Sequence, residues 1–180
     1  MQAEADLASG ARSIHVIQGT HAVSDDPNTM LVTVLGSCVA TCLWDETAGI
    51  GGMNHFLLPE ATGNDTEATL FGAFAMELLI NELLKRGARK DRLNAKLFGG
   101  GRIVSGLSDI GAKNAEFARR FLAREGIPCV SESLGGDRGR RIRFWPVTGR
   151  AQQMYLKSAV AEQVVAPQPA APDAGEVSLF

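Results

Sequence analysis

Three features are scarce in this 180-residue sequence, and each scarcity excludes a class of protein. The longest apolar stretch, 71–84, is interrupted by three polar residues, so it cannot be a membrane span. The formal net charge is only -2, which gives no general attraction to nucleic acid or to an anionic membrane. The first twelve residues have no apolar run and carry two acidic residues, so we expect no secretory signal peptide.

Cysteine is also rare, with Cys38, Cys42 and Cys129 as the three examples. An odd number leaves one thiol over from any internal disulfide, which favours free thiols and a reducing cytoplasm. These cysteines with His55 could be considered as zinc ligands. Their spacing matches no common zinc pattern, and we expect neither a metal nor a cofactor.

The length and the 45% of hydrophobic residues favour one globular domain with a sizeable core. We expect residues 1–12 to form a flexible leader and residues 13–158 to form the folded domain. Residues 159–180 are rich in Ala and Pro, which is typical of a disordered tail.

Hydrophobic patterning predicts the order strands, helix, strand, helix, strands. We therefore expect an α+β fold: an α/β sandwich of mixed, largely antiparallel sheet with two main helices on one side. The predicted strands are 13–18, 30–35, 38–45, 50–58, 95–98, 127–133 and 140–146, and the predicted helices are 64–87 and 108–125.

The predicted helix 64–87 has apolar residues over most of its circumference, which is typical of a core helix buried on most sides. The residues form two sets along the helix. One comprises Phe71, Phe74 and Leu78, and the other comprises Met76, Leu79, Ile80 and Leu83.

The segment Gly36-Ser37-Cys38 is a candidate for chemistry. A glycine before a cysteine allows a sharp turn that brings backbone N–H groups close to a bound atom, where they can stabilise an oxyanion. A free cysteine is more often a buried core residue, so the segment alone does not distinguish a structural cysteine from a reactive one.

His55 strengthens the case for a reactive thiol. If Asp45 pairs with Ile50 around a four-residue turn, alternation places Cys38 and His55 on one face, diagonal to each other. A register shifted by one residue would place His55 on the other face. An imidazole beside a thiol can accept its proton and later protonate a leaving amine. The alternative is a core histidine bound to backbone.

A third group usually orients such an imidazole. Thr33, Asn54 and Asn114 are the candidates. Thr33 can equally be an ordinary strand residue. We interpret Asn114 as a structural amide on an apolar helix face, with partners in the glycine turn 99–101.

The motifs at 33–40 (TVLGSCVA) and 51–59 (GGMNHFLLP) resemble those of the CheD family of chemoreceptor glutamine deamidases. Further matches follow in order at 75–84, 95–100, 110–114 and 134–140, so the resemblance covers roughly residues 13 to 157. It implies an α/β sandwich like that of deamidating bacterial toxins.

The resemblance also implies residue roles and partners. Cys38 would be the nucleophile, His55 the general base and Thr33 the third catalytic residue. The implied reaction converts glutamines of methyl-accepting chemotaxis receptors to glutamate through a thioester, with release of ammonia. Many members of the family bind CheC, a phosphatase of the chemotaxis response regulator.

Site support is predicted from Ser37, Gly36 and Asn54. Two other functions stay open at this point. One is a non-catalytic regulatory partner of a CheC-type phosphatase, and the other is methyl-ester hydrolysis at the same receptor sites. The arginines of 138–143 are typical of a solvated edge strand and are weak evidence for nucleic acid.

Overall fold

The computed structural model describes residues 10–59, 65–103 and 109–157. Within these ranges the chain forms nine strands and two α-helices, with a short 3-10 turn at Lys90–Arg92. The elements in chain order are β1 (Arg12–His15), β2 (Thr20–Ser24), β3 (Thr29–Leu35), β4 (Val39–Asp45), β5 (Ile50–Phe56), α1 (Asp65–Lys85), β6 (Asn94–Gly99), α2 (Ile110–Glu125), β7 (Cys129–Leu134), β8 (Arg140–Trp145) and β9 (Arg150–Tyr155).

The strands form two sheets, of order β1-β3-β8-β9 and β2-β5-β4-β6-β7. Two neighbouring pairs, β1–β3 and β6–β7, are parallel and the others are antiparallel. Both helices pack on the five-stranded sheet. The predicted α+β fold, with mixed sheet and two helices on one side, is confirmed. The division into two sheets was not predicted.

The five-stranded sheet lies between the helices and the four-stranded sheet, and the burial of strand β4 reflects this position. Val39 and Leu43 belong to the core under the helices, whereas Ala40, Cys42 and Trp44 belong to the core between the sheets. Successive side chains of a strand point to opposite faces, so a strand covered on both faces is apolar throughout. The continuous burial of β4 and β5 follows from this position.

Helix α1 is buried on one side only, which corrects the expectation that most of it is buried. Met76, Leu79, Ile80 and Leu83 are at most 3% exposed and face the sheet. Phe71, Phe74 and Leu78 are 46%, 62% and 40% exposed. A helix that lies on a sheet can bury only the stripe that touches it.

Element ends differ from the predictions in ways that follow from local chemistry. The predicted strand 13–18 ends at His15 because the chain turns before β2, and Arg12 already belongs to β1 rather than to a leader. Strand β9 was missed because its sequence is polar and partly exposed. Because β9 pairs with β8, the strand that carries Arg140 is interior and Arg140 is buried, so the expected solvated edge strand is wrong. Helix α2 starts at a cap by Asp109, which accepts from the Ala112 N–H, and ends at Gly126 in the left-handed region.

Several predictions concern residues outside the described ranges. These include residues 1–9 of the predicted leader, residues 64 and 108 at the starts of the two predicted helices, and the tail from 159 onward. No helix in the described ranges is long and apolar enough to span a membrane.

Candidate active site

The β4–β5 hairpin has the register on which the candidate site depends. Asp45 pairs with Ile50, and Ala40 pairs with His55, so the predicted register is confirmed. The Asp45 carboxylate fixes the turn by accepting from the Ala48 N–H at 3.0 Å. Because side chains alternate, His55 shares the inter-sheet face with Cys38, which immediately precedes β4.

Thr33 reaches this face from the opposite sheet. Its hydroxyl donates to the Val16 carbonyl at 2.7 Å and lies 2.9 Å from His55 Nδ1. The Val16 carbonyl, which can only accept, lies 2.7 Å from Thr33 Oγ1 and 3.4 Å from His55 Nδ1, and this arrangement favours Nδ1–H as a donor to the Thr33 oxygen. In the neutral imidazole Nε2 is then the basic nitrogen. The contact with Thr33 thus favours the tautomer in which His55 Nε2 can accept a proton.

The connection from β3 to β4, Gly36-Ser37-Cys38, is held by a glycine turn. The Gly100 N–H donates to the Cys38 carbonyl and the Gly101 N–H donates to the Gly36 carbonyl, each at 2.8 Å. Gly99 has φ +109°, and a Cβ there would collide with the Cys38 carbonyl oxygen. Close approach of the two segments therefore requires glycine at this position.

Asn114 fixes the same connection from the helix side. It is fully buried, and its Nδ2 donates to the Ser37 carbonyl at 2.9 Å. Its Oδ1 accepts from the Leu58 N–H at 3.0 Å. The amide is buried and hydrogen-bonded as expected, but its partners are Ser37 and Leu58 rather than the predicted glycine turn. It joins the segments that carry Cys38 and His55.

Asn54 lies on the other face of the sheet, away from Cys38. Its Oδ1 accepts from the Thr41 N–H at 3.0 Å, and its Nδ2 donates to the Ala75 carbonyl at 3.3 Å. These contacts connect the hairpin to α1. The structure therefore does not bring Asn54 together with the other predicted site residues, whereas it brings Thr33 to His55.

The three cysteines occupy different environments. Cys42 is fully buried, and desolvation raises the pKa of its thiol well above the ordinary value. Cys129 is exposed on β7, three strands from β5, and partial burial raises its pKa too. A high pKa leaves little thiolate for nucleophilic attack. Cys38 and Cys42 both lie on the inter-sheet face that carries His55, and the raised pKa of Cys42 makes it the poorer nucleophile of the two.

Gln18 is a contact of the thiol that sequence reasoning missed. Cys38 Sγ lies 3.4 Å from Gln18 Oε1, in donor geometry. Gln18 occupies the turn between β1 and β2. The segment 13–18 was predicted as strand, so a side chain presented by a turn was not considered. The Gly19 that follows was the available signal, because glycine favours turns.

Comparison with known proteins gives the family. A family model described as CheD chemotactic sensory transduction matches residues 57–154. A probable chemoreceptor glutamine deamidase CheD of Acidiphilium cryptum (strain JF-5) is 55% identical, and the match covers 94% of both chains. Its counterpart in Caulobacter sp. (strain K31) is 55% identical over 99% of this chain and 98% of its own. The chain belongs to the CheD family. The predicted family membership is confirmed.

Among solved structures, this CheD chain is similar to the Bacillus licheniformis hypothetical protein YfiH, with a TM-score of 0.48 and 15% identity. That match covers 73% of this chain and 67% of the other. A Neisseria meningitidis protein, NMB0706, gives a TM-score of 0.47 at 13% identity, over 75% and 68% of the two chains.

The three cysteines and His55 are the residues that the sequence offered as possible zinc ligands. Across 10–59, 65–103 and 109–157, no three His, Cys, Asp or Glu residues form a group that could hold a metal ion. Cys129 lies at the far edge of the sheet from β5. The described geometry of this CheD chain fits nucleophilic chemistry at a thiol.

Proposed function

We propose that this protein hydrolyses the side-chain amide of glutamine residues in chemoreceptors, giving glutamate and ammonia. The observation that carries the proposal is the hydrogen bond between Thr33 Oγ1 and His55 Nδ1, at 2.9 Å, on the face that carries Cys38. The names of the CheD relatives, probable chemoreceptor glutamine deamidases, support the choice of substrate.

In the proposed reaction, His55 Nε2 takes the proton of the Cys38 thiol as the sulfur attacks the amide carbon. The oxyanion that forms is stabilised by backbone N–H groups around Gly36-Ser37-Cys38. The imidazolium then protonates the departing nitrogen, which leaves as ammonia, and a thioester stays on Cys38. Water, deprotonated by His55, hydrolyses the thioester and regenerates the thiol.

Thr33 has a positioning role in this scheme. Its hydroxyl holds Nδ1–H, which keeps Nε2 directed to the chemistry and stabilises the imidazolium once it forms. The Val16 carbonyl fixes the direction of the Thr33 hydroxyl, since it accepts the only hydroxyl proton. Thr33, His55 and Val16 therefore act as one chain of contacts.

The remaining parts of the proposal concern partners and place. Chemoreceptors are the substrates, and a CheC-type phosphatase is a binding partner of the kind that the family resemblance implies. Nucleic acid is not a partner, in keeping with the net charge of -2. The three free cysteines suit the cytoplasm, where thiols stay reduced.

The test is incubation of the purified protein with the purified cytoplasmic part of a chemoreceptor, followed by ammonia assay and peptide mass spectrometry. We expect replacement of a glutamine NH₂ by OH at specific sites. Cys38→Ala should lower the rate by at least about 10⁴-fold, as loss of a nucleophile does in comparable hydrolases. Cys42→Ala is the matched control and should retain kcat.

Two results would contradict this function. If the wild-type protein releases no ammonia and leaves receptor glutamines unchanged, the chain is a binding partner, and its affinity for a CheC-type phosphatase should then survive Cys38→Ala. If receptor peptides lose methyl groups while glutamines persist, the reaction is ester hydrolysis by the same thiol.

A further inference from the structure

The Cys38 thiol is almost closed to solvent, although the proposed reaction requires it to meet a large substrate. Cys38 is 2% exposed. Gln18, whose side-chain oxygen contacts the sulfur at 3.4 Å, is an exposed residue. A substrate side chain can therefore reach the sulfur only if a group that covers it moves, and an exposed glutamine side chain can rotate aside at little cost.

The backbone below Gln18 is fixed to the candidate site, which holds the side chain in register with the thiol. The Gly19 N–H donates to the His55 carbonyl at 2.8 Å, and the Thr20 hydroxyl donates to the Ile17 carbonyl at 2.7 Å. Gly19 has φ +83°, the value that the third position of a type II turn requires. The turn 17–20 is therefore a rigid base that carries one flexible amide.

The chemistry of Gln18 matches that of the proposed substrate. Its side chain ends in the same carboxamide, on the same two-methylene stem, that a receptor glutamine would present. We propose that Gln18 occupies the carboxamide subsite in front of Cys38 and competes there with the substrate glutamine. This inference rests on the proposed function for the identity of the substrate, and it assigns Gln18 as an internal competitor.

The size of the competition follows from tethering. A side chain on a short tether has an effective concentration in about the millimolar range, comparable with the best affinity that a ligand of a few heavy atoms such as a carboxamide reaches. If the subsite is open in about a tenth to a third of molecules, apparent affinity for an external amide falls by about three- to tenfold. Removing the Gln18 carboxamide should therefore raise the apparent affinity for an external amide by the same factor.

The first experiment needs no receptor. Alkylation of Cys38 by iodoacetamide is followed by peptide mass spectrometry, which separates it from reaction at the exposed Cys129. Gln18→Met keeps the length without the amide, and Gln18→Asn keeps the amide on a stem one methylene shorter. Both should raise the alkylation rate by about three- to tenfold. Ile17→Ala, at an exposed position of the same turn, should react as the wild type does.

Propionamide, which is the glutamine side chain as a free molecule, is the competitor in a second measurement. It should protect Cys38 of Gln18→Met at about three- to tenfold lower concentration than Cys38 of the wild type. Equal protection in both proteins would overturn the proposal. The proposal would also be overturned if Gln18→Met were alkylated at the wild-type rate. That result would show that any side chain of this length shields the thiol, with or without a carboxamide.

With receptor as substrate, Gln18→Met should lower KM by about the same factor while kcat stays unchanged. A raised KM would show that Gln18 binds substrate rather than competes with it, and would overturn the proposal. The two hypotheses fail separately. Absence of ammonia release from the wild type overturns the proposed function, while the alkylation rates still decide whether a carboxamide occupies the subsite.

Discussion

The two ends of the β4–β5 hairpin both bury polar side chains, but they do so in different ways. At the turn end, the fully buried Asp45 carboxylate accepts from Arg92 Nε at 2.9 Å, and from the N–H groups of Arg89 at 2.9 Å and Ala48 at 3.0 Å. At the open end, Cys38 and His55 meet Thr33 from another sheet and Gln18 from an exposed turn.

This difference shows that buried polarity alone does not mark a functional site. Asp45 is paired on all sides by rigid neighbours, and the result is a structural ion pair with Arg92. The open end combines a fixed contact, Thr33 to His55, with a side chain that can leave, Gln18. In the proposed mechanism the thiol needs a fixed base and a path for the substrate, whereas a structural carboxylate needs only fixed partners.

After that of Cys38→Ala, the largest effect is expected at the open end of the hairpin, from His55→Gln. Loss of the base that takes the Cys38 proton should lower kcat for ammonia release by about 10²- to 10⁴-fold. His15→Gln is the matched control, because His15 lies on β1 at an exposed position. A kcat within a few-fold of wild type in His55→Gln would show that this histidine is not the base. Both ends of the hairpin would then carry structural polar groups.

Thr33→Val tests the contact that crosses between the sheets. Without the hydroxyl, His55 Nδ1–H keeps only the longer contact to the Val16 carbonyl at 3.4 Å, so we expect kcat to fall by about ten- to a hundredfold and unfolding free energy by about 1–3 kcal/mol. Thr33→Ser restores the hydroxyl and should restore kcat, measured with the same ammonia assay. If Ser fails to rescue, the shape of the threonine side chain matters rather than its hydrogen bond.

Asp45→Asn should affect stability and leave kcat per folded molecule unchanged. Desolvation raises the pKa of Asp45, but hydrogen bonds from Arg92 and from the Arg89 and Ala48 N–H groups outweigh it, so the pKa falls from 3.8 to about 2. The folded-state pKa is thus the lower one. The ionised carboxylate therefore stabilises the fold above about pH 4, and that contribution is lost as the pH falls toward 2.

The measurement is urea unfolding of wild type and Asp45→Asn at several pH values. At pH 7 the difference in unfolding free energy should be about 2–3 kcal/mol, and it should shrink as the pH falls from 4 toward 2. A difference that stays constant over this interval would mean that the carboxylate contributes through packing rather than through its charge.

The smallest effect is expected from Lys96→Met near the turn end. Lys96 Nζ donates to the Gly149 carbonyl at 2.7 Å and lies 5.2 Å from the Trp44 ring centroid. Methionine keeps the apolar stem, so the loss should be about 0.5–1 kcal/mol in urea unfolding. A larger loss would show that Lys96 is coupled to the buried Asp45–Arg92 ion pair. A lower kcat would show that the turn end of the hairpin affects the candidate site.

Much of the hairpin could be predicted from the sequence, because its determinants are local. A four-residue turn and strict alternation give the register that puts Cys38 and His55 on one face. The same alternation places Asn54 on the opposite face, so its assignment to the site could have been rejected from the pattern. The family resemblance rested on motifs at 33–40 and 51–59 and was confirmed by the comparisons.

The contacts that could not be predicted join residues distant in sequence. Thr33 and His55 are separated by 22 positions and belong to different sheets, so their contact depends on how the sheets dock. Cys38 and Gln18 are separated by 20 positions, and no periodicity specifies where a turn will lie. The exposed side of α1 was missed because apolarity alone does not show which stripe of a helix finds a partner.

The division of the candidate site between two sheets has a consequence for the order of folding. Cys38 and His55 belong to a hairpin with mostly local contacts, which can form early. Thr33 arrives only when the four-stranded sheet docks, and it brings the nearer of the two oxygens that contact His55 Nδ1. A chain that has formed its hairpin but not this interface therefore has Cys38 beside a His55 that lacks its contact with Thr33. Regained ammonia release during refolding would accordingly time the last assembly step rather than the first.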